Sequence, residues 1–227
     1  MTPQELALDL EQNARLPAGN LDRFNGYGGM GLPFASGHVL AFRRFPASSI
    51  GPGYISVWHR SPAGNWTFYS DIEPATSCSR FFGKLVKESI LIPIRFEWTG
   101  PYQFQITILE IDFTWNMTVG STFASNMLNT IGKMLPISLW QNQTVLKIMS
   151  VVAGPLLGAG KVSLFGITPN GQHFMVNPST IWLIKESKAI LRGKDLGPIG
   201  PLPKQTHLAG FYVPQKGILA FGQAYFI

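Results

Sequence analysis

The sequence predicts a mainly β fold, a curled or closed antiparallel β-barrel with an N-terminal helix and a mid-chain helical pair. Three observations lead there. Several segments alternate apolar and polar residues with a period of two, as strands with one covered face do. Twenty-four Gly and seventeen Pro punctuate the chain, which suits many short strands better than long helices. One stretch alone, Phe123 to Leu157, switches to helical spacing.

Taken in order, "TPQE" places Thr2 three residues before Glu5, the pattern of a capping box, and predicts a helix through about Arg15 that ends near Pro17 and Gly19. "FNGYGGMGLPF", Phe24 to Phe34, reads as a mobile glycine-rich loop. It matches G-x-G-x-x-G at Gly26, Gly28 and Gly31, but a dinucleotide site needs a strand before and a helix after, and here Pro33 follows at once. "GHVLAFRRF" opens the strands. "YISVWHRSPAGNWTFYSDI", Tyr54 to Ile72, reads as a hairpin turning at Ala63-Gly64 or through Pro62 to Asn65. That turn sets Ser56 opposite Asp71, Trp58 opposite Tyr69 and Arg60 opposite Thr67.

"ILIPIRFEW" carries Ile92, Ile94, Phe96 and Trp98 on one face and Leu91 and Pro93 on the other, which asks for cover on both sides. In "QFQITI" Phe104, Ile106 and Ile108 point one way, and in "IDFTWNMTV" Ile111, Phe113, Trp115, Met117 and Val119 do the same. In the helical stretch Phe123, Met127, Leu128, Ile131, Met134 and Leu135 share one side; Pro136 ends that helix, and a second covers Gln141 to Val152. Strands resume with "KVSLFGI", "QHFMV", "TIWLI", "GFYVP" and "ILAFGQAYF", with no repeat of fixed period. The 227 residues read as one domain, with a helix at 1–16, a first β-block at 37–120, the helical pair at 121–158 and a second β-block at 161–227.

Composition narrows the function. Charged residues make up 13% against the usual ~25%, so much of the chain is buried or faces something apolar. The net charge of +6 is thinly spread, with Arg43-Arg44 the one adjacent basic pair, so nucleic acid is not an expected partner. No acidic residue falls between Asp112 and Glu186, a stretch that holds Lys133, Lys147 and Lys161. It reads first as a buried helical layer and second as a surface for transient contact with a membrane. Val145 to Leu157, broken by Lys147 and Gly154-Pro155, is too short to span a bilayer.

The single Cys78 excludes an intramolecular disulfide, and no Cys/His spacing suggests zinc. "MTPQELALDLEQNARLP" lacks a basic segment followed by an apolar one, so a cytoplasmic location is expected, where the sequons at Asn65, Asn116 and Asn142 carry no meaning. "GPLLGAGKVS" leaves a helix and enters a strand, the reverse of a phosphate loop. No G-x-S-x-G elbow occurs, and Cys78 has no neighbouring His in sequence. His38, His59, His173 and His207 are scattered. No metal and no cofactor are expected.

What remains is the hairpin. In the register above, one face carries Tyr54, Ser56, Trp58, Arg60, Tyr69 and Asp71, an amphipathic mixture that suits a pocket wall; the plain alternative is a hydrated surface. A carboxyl among aromatic rings has its charged form destabilised and becomes a usable general acid, so Asp71 is the candidate acid, with Tyr69 or Tyr54 assisting. Trp58 could steady a developing cation through its ring face. Trp58, Arg60 and Ser56, with Trp115 and Phe104 from the alternating strands, are the candidate ligand-binding residues. The carboxylates Glu97, read as paired with Arg95, and Asp112 also fall within strand patterns.

The segments "VWHRSPAGNWTFYSD" and "VSLFGITPNGQHFMV" resemble lipocalin-like (calycin-type) proteins, nearest in pattern to carotenoid 1,2-hydratases and cofactor-free natural-product cyclases. The Gly-x-Trp lipocalin signature is absent and the helical pair is a departure. The resemblance implies a barrel enclosing an apolar ligand and transfers no catalytic residue. The expected function is binding of a hydrophobic small molecule of the fatty acyl, isoprenoid or polyketide class. The alternatives are a cofactor-independent lyase or isomerase (a hydratase, isomerase or cyclase) acting on such a molecule, and a structural or interaction protein without a ligand. Oligomeric state is not legible.

Overall fold

A computed structural model describes residues 1–227, the side chain of Ile137 excepted. At its start the capping box forms: the Glu5 N–H donates to the Thr2 hydroxyl at 3.2 Å, and the Thr2 N–H donates to the Glu5 carboxylate at 2.8 Å, opening helix α1, Pro3–Asn13.

Ten main strands follow: β1 Asp22–Gly29, β2 Val39–Ser48, β3 Tyr54–Arg60, β4 Trp66–Ser70, β5 Glu88–Leu91, β6 Arg95–Gly100, β7 Gln103–Ile108, β8 Phe113–Gly120, β9 His173–Leu191 and β10 Ile218–Phe226. They pair in the order β5-β4-β3-β2-β1-β10-β9-β8-β7-β6. Two meanders are thus joined through the first and last strands, which run antiparallel from Asp22 opposite Phe226 to Gly29 opposite Leu219. The break comes between β5 and β6, where Pro93 has no N–H for a ladder. The single two-faced strand expected over Leu91 to Trp98 is therefore two edge strands at opposite ends of the sheet. Four residue steps, Leu91 to Arg95, span at most ~14 Å, so those ends lie close together and the sheet is a barrel opened at one seam.

Ring contacts show how far it curls. Phe42 of β2 meets Phe96 of β6 at 5.7 Å, Phe104 of β7 at 5.5 Å and Trp115 of β8 at 5.9 Å. Strands so far apart in the pairing order touch only when the sheet wraps around that face. This inner face is filled: Tyr27 stacks on Phe221 at 4.9 Å, and Ile106, Phe113, Met117 and Val119 pack beside them, with the alternation the sequence predicts. A mainly β, curled fold is what the sequence foresees. The lipocalin reading is not upheld in detail: the strands number ten rather than eight, β5 pairs parallel with β4, and rings occupy the interior where that family holds its ligand.

The glycine-rich segment is also a correction. It is no mobile loop: Phe24 to Gly29 lie inside β1, at the centre of the sheet. A Cβ on Gly26 would fall within contact of the Arg44 carbonyl, and one on Gly28 within contact of the Phe42 carbonyl. The glycines serve close backbone approach, not mobility.

The hairpin is shifted by one residue from the expected register. A three-residue connection, Pro62 to Gly64 with Gly64 at φ 90°, closes with the Ser61 N–H donating to the Asn65 carbonyl. Ser56 therefore faces Ser70, Trp58 faces Phe68 and Arg60 faces Trp66. A one-residue slip exchanges the faces of a strand, so Tyr69 turns to the inner core and Asp71 goes with it, away from Trp58.

Outside the sheet lies a second layer. Helix α2, Ser79–Phe82, and residues 207–213 cover β2 to β4, burying Tyr54, Trp58, Phe68, Phe81, Phe82 and Phe211. Helices α3, Phe123–Met134, and α5, Gln143–Leu157, with the short α4, Ile137–Trp140, between them, cover β9 and β10. The expected helical pair is thus present with an extra short turn after Pro136. Its facing is corrected, however. The Asn129 side chain donates to the Ile181 carbonyl at 3.0 Å and accepts from the Ile181 N–H at 2.8 Å. These bonds hold Ala124 and Leu128 toward the sheet and turn Phe123, Met127, Ile131 and Met134 to the outside.

One pH response is built into the first meander. His38 Nδ1 and His59 Nε2 lie 2.8 Å apart, so one ring donates to the other and both cannot be charged. Burial lowers the pKa of both; His59 falls to about 4, with the nearby His38 and Arg192 charges adding to the effect. A native pKa below the unfolded one means the unfolded chain takes up the proton first. Stability is therefore fully present above about pH 6.5 and is lost as pH falls toward about 4, by on the order of 3 kcal/mol for His59. Urea midpoints at neutral and mildly acidic pH should show this fall, and His59→Gln should flatten it. An equal fall in the variant would place the effect elsewhere.

Candidate functional site

Strand β2 alternates across two cores. Leu40 and Phe42 face inward; Val39, Ala41, Arg43 and Phe45 face outward, where a second layer covers them. That puts the Arg43 guanidinium in an apolar interior, 6% exposed. Its Nη1 donates to the Gly29 carbonyl at 2.7 Å and to the Phe42 carbonyl at 2.8 Å. Its carbon lies 4.6 Å from the Trp58 ring centroid and 5.5 Å from that of Phe211. Among the described residues no carboxylate pairs with it and its hydrogen bonds run from Nη1 alone, leaving three N–H donors on Nη2 and Nε. Burial draws its pKa down to about 10, while the neighbouring Cys78 and Tyr54 oppose that, so it remains a cation at neutral pH.

Beside it the Tyr54 hydroxyl and Cys78 Sγ are 3.1 Å apart. Burial pushes both pKa values up, so both keep their protons. Arg43, Trp58, Cys78, Phe82, Phe211 and Asn177 line a void of about 70 Å³. A second void of about 70 Å³ adjoins it, sharing the walls of Met30, Val176, Pro178, Phe211 and Ala220, and runs under α3 and α5 against Leu128, Met149, Ala153 and Leu157. Val162, Ser163 and Tyr212 are common to that second void and to an open surface groove of about 970 Å³ beside α5. Groove, outer void and inner void thus adjoin in series, with Arg43 lining the last of them.

The expected site residues are divided between the two faces. Trp58 lines the Arg43 void; Tyr54 stands behind it through Cys78; the Ser56 hydroxyl accepts from Trp58 Nε1 at 3.2 Å. Arg60 is half-buried, its Nη1 3.5 Å from the Ser61 carbonyl, and does not line the void. Tyr69, Phe104 and Trp115 belong to the inner core, where Trp115 Nε1 donates to the Ser187 hydroxyl at 2.8 Å. Asp71 lies in a separate cleft of about 540 Å³ under α1, with Glu11, Tyr27, Arg44 and Glu97. There its Oδ1 accepts the Ile55 N–H at 2.9 Å; burial raises its pKa, and that bond and the Arg44 charge partly offset the rise. Arg44 itself binds Glu11, its Nε donating at 2.8 Å.

Arg43 is the residue missed. As half of Arg43-Arg44 it reads as surface charge, yet "HVLAFRRF" is apolar at alternating positions on both faces. That pattern means both are covered, and it buries one arginine of the pair.

No family model and no curated protein matches the chain. Among solved structures it aligns with an acetoacetate decarboxylase over 93% of this chain and 91% of that one, at 10% identity and a TM-score of 0.36. It also aligns with acetoacetate decarboxylase from Legionella pneumophila subsp. pneumophila str. Philadelphia 1 over 93% and 88%, at 13% identity and a TM-score of 0.35. Neither is a lipocalin or a carotenoid hydratase, and neither likeness assigns a role to a residue here.

Proposed function

We propose that the protein binds a small apolar molecule bearing one anionic group, a carboxylate in the first instance, between the outer face of the sheet and the helical layer. The observation that carries this reading is Arg43: a guanidinium 6% exposed, with donors on Nη2 and Nε free and no carboxylate partner, lining an otherwise apolar space. A buried charge without a partner is costly and is retained where something pairs with it. A guanidinium suits a carboxylate because its N–H groups match two oxygens at once. Trp58 and Phe211 support the head group, and the void beneath the helices takes the apolar tail. Two voids of about 70 Å³ fit a short chain or a single ring, which narrows the fatty acyl, isoprenoid and polyketide classes to their small members.

A catalytic version of the same reading rests on the Tyr54–Cys78 contact. Both groups keep their protons and stand next to the proposed anion site as neutral hydrogen-bond donors. Burial makes them weak acids, so proton transfer to a ligand, as a cofactor-independent lyase or isomerase requires, would rely on the adjoining Arg43 charge to steady the anion left behind. Asp71 is outside this space and takes no part in it.

Titration of Trp fluorescence with octanoate and with methyl octanoate tests the binding reading. Octanoate should bind at least about tenfold more tightly, since charge-assisted bonds are worth more than neutral ones. Equal affinities, or no response to either, would remove the anion site.

A further inference from the structure

We propose that the helical layer docks on bilayer surfaces that carry anionic lipid. Helices α3 and α5 both lay their inner sides on the sheet, through Leu128 and Leu157 among others, so their outer sides both point away from it. Those outer sides are apolar. On α3, Phe123 is 87% and Met134 78% exposed, on the same side as Met127 and Ile131; on α5, Val151 is 74% exposed, beside Ile148 and Val152. Spacings of three and four residues gather each set into a stripe. An exposed apolar surface of this extent is unusual for a chain in water.

Its charge identifies the occupant. From Phe113 to Lys185 there is no Asp or Glu, while Lys133, Lys147 and Lys161 lie in or next to the layer. Two of these ammonium groups flank the open groove, Lys147 at 5.1 Å from the Phe165 ring centroid and Lys161 at 5.1 Å from that of Tyr212. Apolar insertion and basic attraction together are the two signals that hold a protein reversibly on a membrane. Among the described residues no helix is long and apolar enough to cross one, so the proposed contact is with the surface. The groove adjoining the inner voids would then open at the lipid boundary, where an amphipathic carboxylate is most concentrated. Docking itself does not depend on Arg43.

Cosedimentation of the full chain with phosphatidylcholine vesicles, with and without about 30% phosphatidylserine, reads this out. Wild type should partition at least about tenfold better onto the anionic vesicles, and less so in high salt. Phe123→Ser with Met134→Ser should lower partition by about tenfold or more, and Lys133→Glu with Lys147→Glu should abolish the preference for phosphatidylserine. All four side chains are exposed, so unchanged melting temperatures confirm the variants fold. Arg43→Met should bind vesicles as wild type does, which separates failure of docking from failure of the ligand site. The proposal is overturned by absence of vesicle binding, by equal binding to both compositions, or by variants that bind as wild type. It is equally overturned by a dimer in sedimentation velocity that Phe123→Ser with Met134→Ser dissociates, since a second copy would then cover the stripe.

Discussion

Replacing Arg43 by Met should weaken octanoate binding at least about 30-fold while leaving the protein folded. The magnitude follows from truncating one partner of a buried, hydrogen-bonded charge pair, which costs about 2–5 kcal/mol. Stability should move far less, because large terms oppose each other. The variant loses two bonds from Nη1 to the Gly29 and Phe42 carbonyls and the contact with Trp58. It also loses the desolvation penalty of an unpaired guanidinium, which is several kcal/mol, so the net change should lie within about 2 kcal/mol of zero. Arg44→Met is the matched control: its side chain lies on the other face of the sheet and pairs with Glu11, so binding should stay within about twofold. Calorimetric titration and thermal melts of the three proteins decide it. Unchanged binding in Arg43→Met would show that the buried cation serves the fold alone.

Gly28→Ala should strongly destabilise the protein although it adds a single methyl group. The new Cβ would sit inside contact distance of the Phe42 carbonyl and 3.2 Å from the Arg43 Cα, and backbone cannot yield without breaking the ladder between β1 and β2. Overpacking of this kind usually costs about 1–3 kcal/mol, and against rigid backbone more than about 3 kcal/mol is expected here. Gly83→Ala makes the comparison: nothing lies within 4 Å of its Cβ and its φ of −55° suits any residue, so that change should be neutral or stabilise by up to about 1 kcal/mol. Urea midpoints measure both. A Gly28→Ala protein within about 1 kcal/mol of wild type would mean that β1 does not need its close approach.

The two variants mark where sequence reading stopped. Gly26 and Gly28 were legible as special, but glycine in a loop and glycine under a crowded strand look alike until the partner strand is known. Arg43 was legible as basic, yet its burial depends on α2 closing over the outer face together with residues 207–213, which lie more than a hundred residues further along the chain. The hairpin was legible to within one residue, and that residue mattered because side chains alternate. It moved Asp71 from beside Trp58 to a cleft beneath α1.

By itself the sequence determined what local chemistry can encode. The Thr2–Glu5 cap, the alternation of β7 and β8, the helical run from Phe123 to Leu157 and the break at Pro136 all depend on neighbours within a few positions. Only the tertiary structure decided which way each apolar face turned. It made the inside of the curl a packed core of rings and left voids outside it, under the helices. It also turned the Phe123 stripe outward. The physical reason is that a strand or helix apolar on both sides has no local preference between them. The choice falls to long-range partners such as Asn129 on Ile181, 52 residues apart in the chain.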